Sequence, residues 1–235
     1  MNKAFLISLS LSLAVLSSAH AAPPKQPKAP GIESPDYAWD AQSAEEAQLL
    51  KMKGDVENGK IAYQGCQGCH KPDASGLSDG TYPQLAGQHT TVLIKQMSDV
   101  REGRRDNPKM FPFAGKHVVD TQEVADIAAY LNSLPLPGNN DKGPGNDLAR
   151  GKALYQKDCV SCHGERGEGN AGKFYPVTNG QHYRYMVRQI VSIRDGSRRN
   201  ANPKMVKVVK RYSTSDIGAV ADFMSRISPL KKADK

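Results

Sequence analysis

Apolar positions recur along this chain at helical rather than strand spacing. After Asp120, residues Val124, Ile127, Ala128, Leu131 and Leu134 stand at i, i+3, i+4 and i+7 intervals, which is one face of a helix. Asp120 and Glu123 ahead of them have the form of a capping box. A second such run, Ile217, Val220, Ala221, Met224 and Ile227, follows Ser213 and Asp216. Shorter helices are expected over Ser43 to Lys53, Gly59 to Gln64, Thr90 to Glu102, Gly151 to Gln156 and Tyr183 to Asp195. No convincing run alternates with a period of two, so the expected fold class is all-α.

The pattern is duplicated. Cys66-Gln-Gly-Cys69-His70 recurs as Cys159-Val-Ser-Cys162-His163, a shift of 93. Tyr82-Pro83 and Gly87-Gln88-His89 recur at the same shift as Tyr175-Pro176 and Gly180-Gln181-His182. Arg101-Glu102-Gly103 answers Arg194-Asp195-Gly196, and Asn107-Pro108-Lys109-Met110 answers Asn202-Pro203-Lys204-Met205 after a two-residue insertion. Many matches in one order indicate duplication of one domain. The expected copies are residues 54–135 and 148–235. The stretch 135–147, with three prolines and three glycines, reads as a linker, and 136–147 is assigned to it.

The N-terminus has the signature of an export signal. Met1-Asn2-Lys3 is a short positive start, Ala4 to Ser18 is almost entirely apolar or small, and Ala19-His20-Ala21 is an A-x-A cleavage site. Its 15-residue apolar run is short of the roughly 20 that a membrane span needs. Residues 1–21 are therefore expected to be removed, leaving a soluble chain that begins near Ala22, the alternative being an uncleaved N-terminal anchor. Residues 22–53 form an extension, a Pro-rich tail followed by a short helix. Its Tyr37 and Trp39 offer either a contact patch for another protein or packing against the chain's own domains.

Composition sharpens the picture. Hydrophobic residues make up 38% and aromatics 6% of the chain, little apolar material for two small cores. A large apolar cofactor in each would supply what is missing. All four cysteines lie in the two clusters, so no spare thiol exists for a long-range disulfide in an exported protein. C-x-x-C-H resolves this, because it is the attachment signal for a c-type haem. The two sulfurs form thioethers to the vinyl groups, and the adjacent histidine faces the iron. A zinc site built from two C-x-x-C pairs would normally separate them by ~15–20 residues.

Met110 follows His70, and Met205 follows His163, at nearly equal intervals along the chain, each in the repeated N-P-K-M context. These are the expected sixth ligands. His/Met ligation raises the potential and fills both axial positions, which suits electron transfer rather than catalysis. His89 and His182 match one another but follow the first histidine too closely, where a middle helix begins, so they are expected to cap that helix or contact a propionate. His117 has no counterpart and reads as a surface residue. The backbone carbonyls of Pro83 and Pro176, at the same offset from each haem histidine, are candidate acceptors for its other N–H.

C-x-x-C-H, then Y-P-x-L-A-G-Q over Tyr82 to Gln88, then the methionine of N-P-K-M, all duplicated after an export signal, resembles the dihaem cytochrome c4 family. The resemblance covers about residues 54–228. It implies two tandem class I cytochrome c domains and two covalently bound haem c groups. Cys66, Cys69, His70 and Met110 would hold one, and Cys159, Cys162, His163 and Met205 the other. It also implies that Tyr130 and Phe223 pack near Gly59 and Gly151, and that the haem propionates are linked across the two domains. The implied role is a periplasmic shuttle between a donor such as quinol–cytochrome c reductase and an acceptor such as a terminal oxidase. The extension, and Y-P-V-T-N-G-Q in the second half, depart from the pattern. Two rival roles are a redox subunit or dedicated acceptor of a larger oxidising complex, and a dihaem enzyme such as a peroxidase. The latter would need an exchangeable or unusual sixth ligand, which neither half suggests.

Charge separates the halves. Residues 54–135 hold 8 Lys and Arg against 10 Asp and Glu, whereas residues 146–235 hold 18 against 8, within an overall +8. Nucleic acid is not an expected partner of an exported haem protein. Acidic redox proteins and, peripherally, anionic lipid are partners such a half would attract.

Overall fold

The structure, a computed structural model, describes residues 25–228. The expected signal, residues 1–21, lies outside the described residues. Within them the chain is helical. Its one strand-like feature is a single bridge between Asn170 and Tyr175.

The first half contains α1 (Ala44–Leu49), α2 (Val56–Ala62), α3 (Gln67–His70), α4 (Thr90–Arg101), α5 (Phe111–Ala114) and α6 (Thr121–Ser133). The second contains α7 (Leu148–Asp158), α8 (Val160–His163), α9 (Tyr183–Arg194), α10 (Pro203–Val209) and α11 (Thr214–Ser225). In each half the helix ahead of the cysteines crosses the closing one, α2 on α6 and α7 on α11. Glycine permits the crossing. A Cβ on Gly59 would overlap the Asp126 carbonyl and lie 2.9 Å from the Tyr130 Cβ, and one on Gly151 would overlap the Ala219 carbonyl and lie 3.0 Å from the Phe223 Cβ. Tyr63 against Tyr130, at 5.6 Å between ring centroids, and Tyr155 against Phe223, at 5.5 Å, close the two contacts. Asp120–Glu123 and Ser213–Asp216 both form capping boxes, satisfying the first amides of α6 and α11.

Each half has its own core. Leu49, Tyr63, Ile94, Ile127 and Leu131 centre one, and Tyr155, Ile190, Ile217 and Val220 the other. The stretch 134–147 is irregular but tied down. The Asn140 amide donates to the carbonyls of Gln181 (3.1 Å) and Ser225 (2.8 Å).

The helix expected over Ser43 to Lys53 is shorter than its pattern. It stops at Leu49 because the chain must turn to bring Gly54 against the Ala125 carbonyl, where a Cβ would overlap. Ahead of it, the extension runs across both halves. Gln26 donates to the carbonyls of Val100 (2.7 Å) and Arg105 (2.8 Å) and accepts from the Asn107 amide (2.9 Å). The Ile32 amide then donates to Arg199 O (2.8 Å), and the Tyr37 hydroxyl to Ala201 O (3.1 Å). Trp39 packs on Phe174 and Tyr175 at 6.2 and 6.3 Å, with the Lys95 ammonium 5.4 Å from its ring centroid. Of the two expectations for Tyr37 and Trp39, the chain's own domains are what they touch.

Candidate haem sites

Each C-x-x-C-H segment sits where one helical segment ends and a short turn of α-helix follows. Cys66 ends a 3-10 turn (Tyr63–Cys66) and α3 carries the rest, while Cys159 caps α7 and α8 carries the rest. Lys71 (φ +66°) and Gly164 (φ +79°) end both turns abruptly, leaving each histidine at a helix terminus. The four cysteines are half-buried and unpaired. Burial, with the neighbouring cysteine adding less, pushes the Cys66 thiol up to about 11. Burial and then Asp158 push the Cys159 thiol up to about 12. A thiol-redox motif needs the opposite, a lowered thiol pKa.

Both histidines are already oriented. His70 Nδ1 lies 3.2 Å from the Pro83 carbonyl, and His163 Nδ1 lies 3.2 Å from the Pro176 carbonyl. A carbonyl only accepts, so Nδ1 carries the proton and Nε2 keeps its lone pair. Burial lowers both imidazole pKa values, against the proline hydrogen bond, and favours the neutral form that binds metal. The rings of Tyr82 and Tyr175 stand beside them at 5.8 and 6.5 Å.

One continuous cavity of about 1340 Å³ links the two sites. It exceeds the roughly 300–1,000 Å³ of an ordinary ligand pocket. Both C-x-x-C-H segments, Met110 and Met205 line it. Met97, Met186 and Met224 line it too, but have no methionine at the matching place in the other half. His89, His117 and His182 are not among its lining residues. Where the halves meet, Arg105 and Arg198 both bond to Gln96 Oε1, at 2.9 and 3.0 Å. Desolvation, and then repulsion from Arg105, lower the Arg198 pKa to about 10. Two guanidinium groups held together over a largely apolar cavity fit a flat apolar group with carboxylates at one edge. The residues present therefore fit two haems, whose propionates Arg105 and Arg198 would bind.

His89 and His182 do something the sequence did not suggest. They occupy the N-cap positions of α4 and α9, but neither side chain caps its helix. Neither lines the cavity. Instead His89 Nε2 bonds the Glu168 carbonyl (2.8 Å) and His182 Nε2 the Ser75 carbonyl (2.7 Å), each in the opposite half. Their glutamine neighbours, Gln88 and Gln181, cross in the same way. The repeated G-Q-H was visible in the sequence, whereas its destination was not. Arg105 and Arg198 also stand at the 93-residue shift, a signal that could have marked them. His117 is exposed, as expected.

The family model for cytochrome c matches residues 56–135 and again 148–228. The chain is 32% identical to cytochrome c4 of Azotobacter vinelandii over 193 residues, which covers 75% of this chain and 90% of that protein. It belongs to the cytochrome c4 family. Another relative, 32% identical over 200 residues, covers 77% of this chain and 91% of its own; it is a thiosulfate dehydrogenase electron acceptor of Stutzerimonas stutzeri (strain A1501). Reduced recombinant cytochrome c4 from Pseudomonas stutzeri has the same architecture, with a TM-score of 0.67 and 27% identity over 74% of this chain and all of that one. As a cytochrome c4, the protein is a dihaem electron carrier rather than an enzyme. Its two tandem cytochrome c domains carry two covalent haem c groups. Among the described residues, no helix is long and apolar enough to cross a membrane.

Proposed function

We propose that this cytochrome is a periplasmic shuttle for single electrons, built from domains at 54–135 and 148–235 and exported by a leader over residues 1–21. Cys66 and Cys69 attach one haem, with His70 and Met110 as axial ligands. Cys159 and Cys162 attach the other, with His163 and Met205. The observation that carries this reading is the matched geometry of the two histidines. Each is held by Nδ1 on a proline carbonyl, with its free Nε2 in a cavity that a repeated methionine also lines. The haem iron supplies the one-electron chemistry. The protein's part is to fix the ligands, exclude water and bring the two groups into one cavity.

The decisive test is an intact mass combined with a spectroelectrochemical titration. The mature chain should weigh Ala22–Lys235 plus two haems, which acid–acetone leaves attached. The oxidised protein should show the weak far-red sulfur–iron band. A mass with one haem or none would sink the proposal.

Donor and acceptor follow from the family only in outline: a quinol–cytochrome c reductase or similar donor, and a terminal oxidase or similar acceptor. The similarity to a thiosulfate dehydrogenase electron acceptor favours a second reading, a dedicated acceptor of an oxidising enzyme. Gel filtration of a native extract separates the two, since a free shuttle elutes alone and a tightly held acceptor elutes with its enzyme.

A further inference from the structure

The two haem sites are tied together by a reciprocal set of contacts. Gln88 of the first domain reaches into the second, where its Oε1 accepts from the Val177 amide (2.9 Å) and its Nε2 donates to the Val177 carbonyl (3.0 Å). Gln181 returns the contact, accepting from the Gln84 amide (3.0 Å) and donating to the Gln84 carbonyl (3.0 Å). The targets have a common position. The Val177 N–H and the Pro176 C=O are two ends of one peptide group, and so are the Gln84 N–H and the Pro83 C=O. Those are the carbonyls that accept from His163 and His70. Each glutamine oxygen thus stands at one end of a chain that runs through a single peptide to the opposite haem histidine.

His89 and His182 flank these chains. The Ser75 carbonyl that accepts from His182 belongs to the peptide whose Gly76 amide donates to the His70 carbonyl (3.0 Å). The Glu168 carbonyl that accepts from His89 belongs to the peptide whose Gly169 amide donates to the His163 carbonyl (2.9 Å). Each domain therefore grips the other's haem histidine through two peptides, one at the side chain and one at the backbone.

We propose that Gln88 and Gln181 are positioning residues that tune the haem of the opposite domain: Gln88 acts on His163 through the Pro176–Val177 peptide, and Gln181 acts on His70 through the Pro83–Gln84 peptide. Hydrogen bonds in series polarise one another, so an amide bonded at N–H is a stronger acceptor at its oxygen. A stronger acceptor makes the ligating imidazole more basic, as outer partners of metal-bound histidines do. A more basic imidazole favours ferric iron, so each glutamine lowers the potential of its partner domain's haem. The consequence is coupling by docking, in which a domain that moved away would raise its neighbour's potential. This rests on His70 and His163 being iron ligands.

The test is crosswise. Gln88→Ala and Gln181→Ala are made in the full-length dihaem protein. The two potentials are measured, and the Nδ1 protons of both axial histidines are followed by NMR, each assigned through contacts to its own haem. Gln88→Ala should raise the potential of the second-domain haem and speed exchange of the His163 Nδ1 proton about twofold, since polarisation in series changes a hydrogen bond by roughly 10–30% rather than removing it. The first-domain haem should be unmoved. Gln181→Ala should do the reverse. Thr91→Val removes another interdomain bond, to the Ala171 carbonyl (2.6 Å), which touches neither proline peptide, and should move neither haem. A response in the variant's own domain, an equal response in both, no response, or a Thr91→Val response of the same size overturns the proposal. Wild-type protein lacking haem-shifted signals from His70 and His163 would overturn the ligand reading, and the proposal with it.

Discussion

The loops that precede Met110 and Met205, the proposed axial ligands, descend from one sequence but sit in different surroundings. In the first domain the loop is clamped. Arg101 is buried, donating to the Ala114 carbonyl and Glu45 at 2.7 Å each and to the Val119 carbonyl. Arg104 joins Glu46 (2.7 Å), Asp99 (2.6 Å) and Glu102. Gly103 lies so close to the extension that a Cβ would overlap the Pro27 carbonyl. In the second domain a Cβ on the matching Gly196 would meet nothing among the described residues, and Arg194 pairs with its neighbour Asp195 at 2.8 Å and donates to the Tyr212 carbonyl (3.3 Å) and Thr214 (3.4 Å). There α10 presents exposed Lys204, Lys207 and Lys210, where the first domain has only the short α5. Duplication supplies two equal haem sites. The extension crosses both loops, meeting the first at Gly103 and the second at Arg199 and Ala201, while the buried arginine clamp marks the first and an exposed basic face marks the second.

Replacing the methionines gives the largest effect and asks whether the two sites are separable at all. Met110→His or Met205→His should lower the potential of its own haem and largely spare the other, because imidazole favours ferric iron more than thioether sulfur does. If Met205→Ala leaves the spectra of both haems unchanged, the equivalence of the two ligand loops is broken.

The clamp itself comes next. Arg101→Ala leaves two buried carbonyls unpaired and Glu45 with only the exposed Lys116 (3.0 Å), a loss of about 3 kcal/mol. Arg194→Ala, at the matching place, loses an exposed pair and two long hydrogen bonds and should cost only about 1 kcal/mol. Denaturant unfolding of the two variants, followed by haem absorbance, checks the difference. Equal losses would mean that the buried arginine does not distinguish the domains.

The open face is sharpened by charge reversal. Lys204, Lys207 and Lys210 changed together to Glu should slow electron exchange with an acidic partner about tenfold or more at low salt. The effect should fade as the screening length falls to about 8 Å at physiological ionic strength. Stopped-flow rates across a salt series read it. A triple variant as fast as wild type at low salt would show that this half is not the docking face.

The capping boxes should give the smallest effect and a pH signature. Ser213→Ala should cost about 1 kcal/mol. Asp216 is held below its ordinary carboxyl value of 3.8, chiefly by the Ser213 hydroxyl, with Arg150 adding to it against burial. A depressed folded pKa stabilises above the unfolded value and is lost as pH falls through the folded one. The Ser213→Ala penalty should therefore hold at neutral pH and shrink as pH drops below about 4. A penalty that does not vary with pH would remove Asp216 from the cap.

Local chemistry was legible in the sequence, because it depends on spacing along one chain. The C-x-x-C-H spacing, the proline at a fixed offset beyond each histidine, the capping boxes and the i, i+3, i+4 faces are all short-range, and the helices formed within a few residues of their patterns. The helix expected to reach Lys53 did not, because helix propensity cannot anticipate that Gly54 must lie on a distant carbonyl. What only the tertiary structure decided has that same long range. Gln181 meets Gln84 across 97 residues and His182 meets Ser75 across 107, while Gln26 reaches Asn107 across 81. The targets of these side chains are mostly backbone amides and carbonyls, which every residue type carries and no motif marks. The sequence by itself therefore determined what each haem site is made of. The docking of the two domains, and of the extension across them, decided how each site is held and how each is tied to the other.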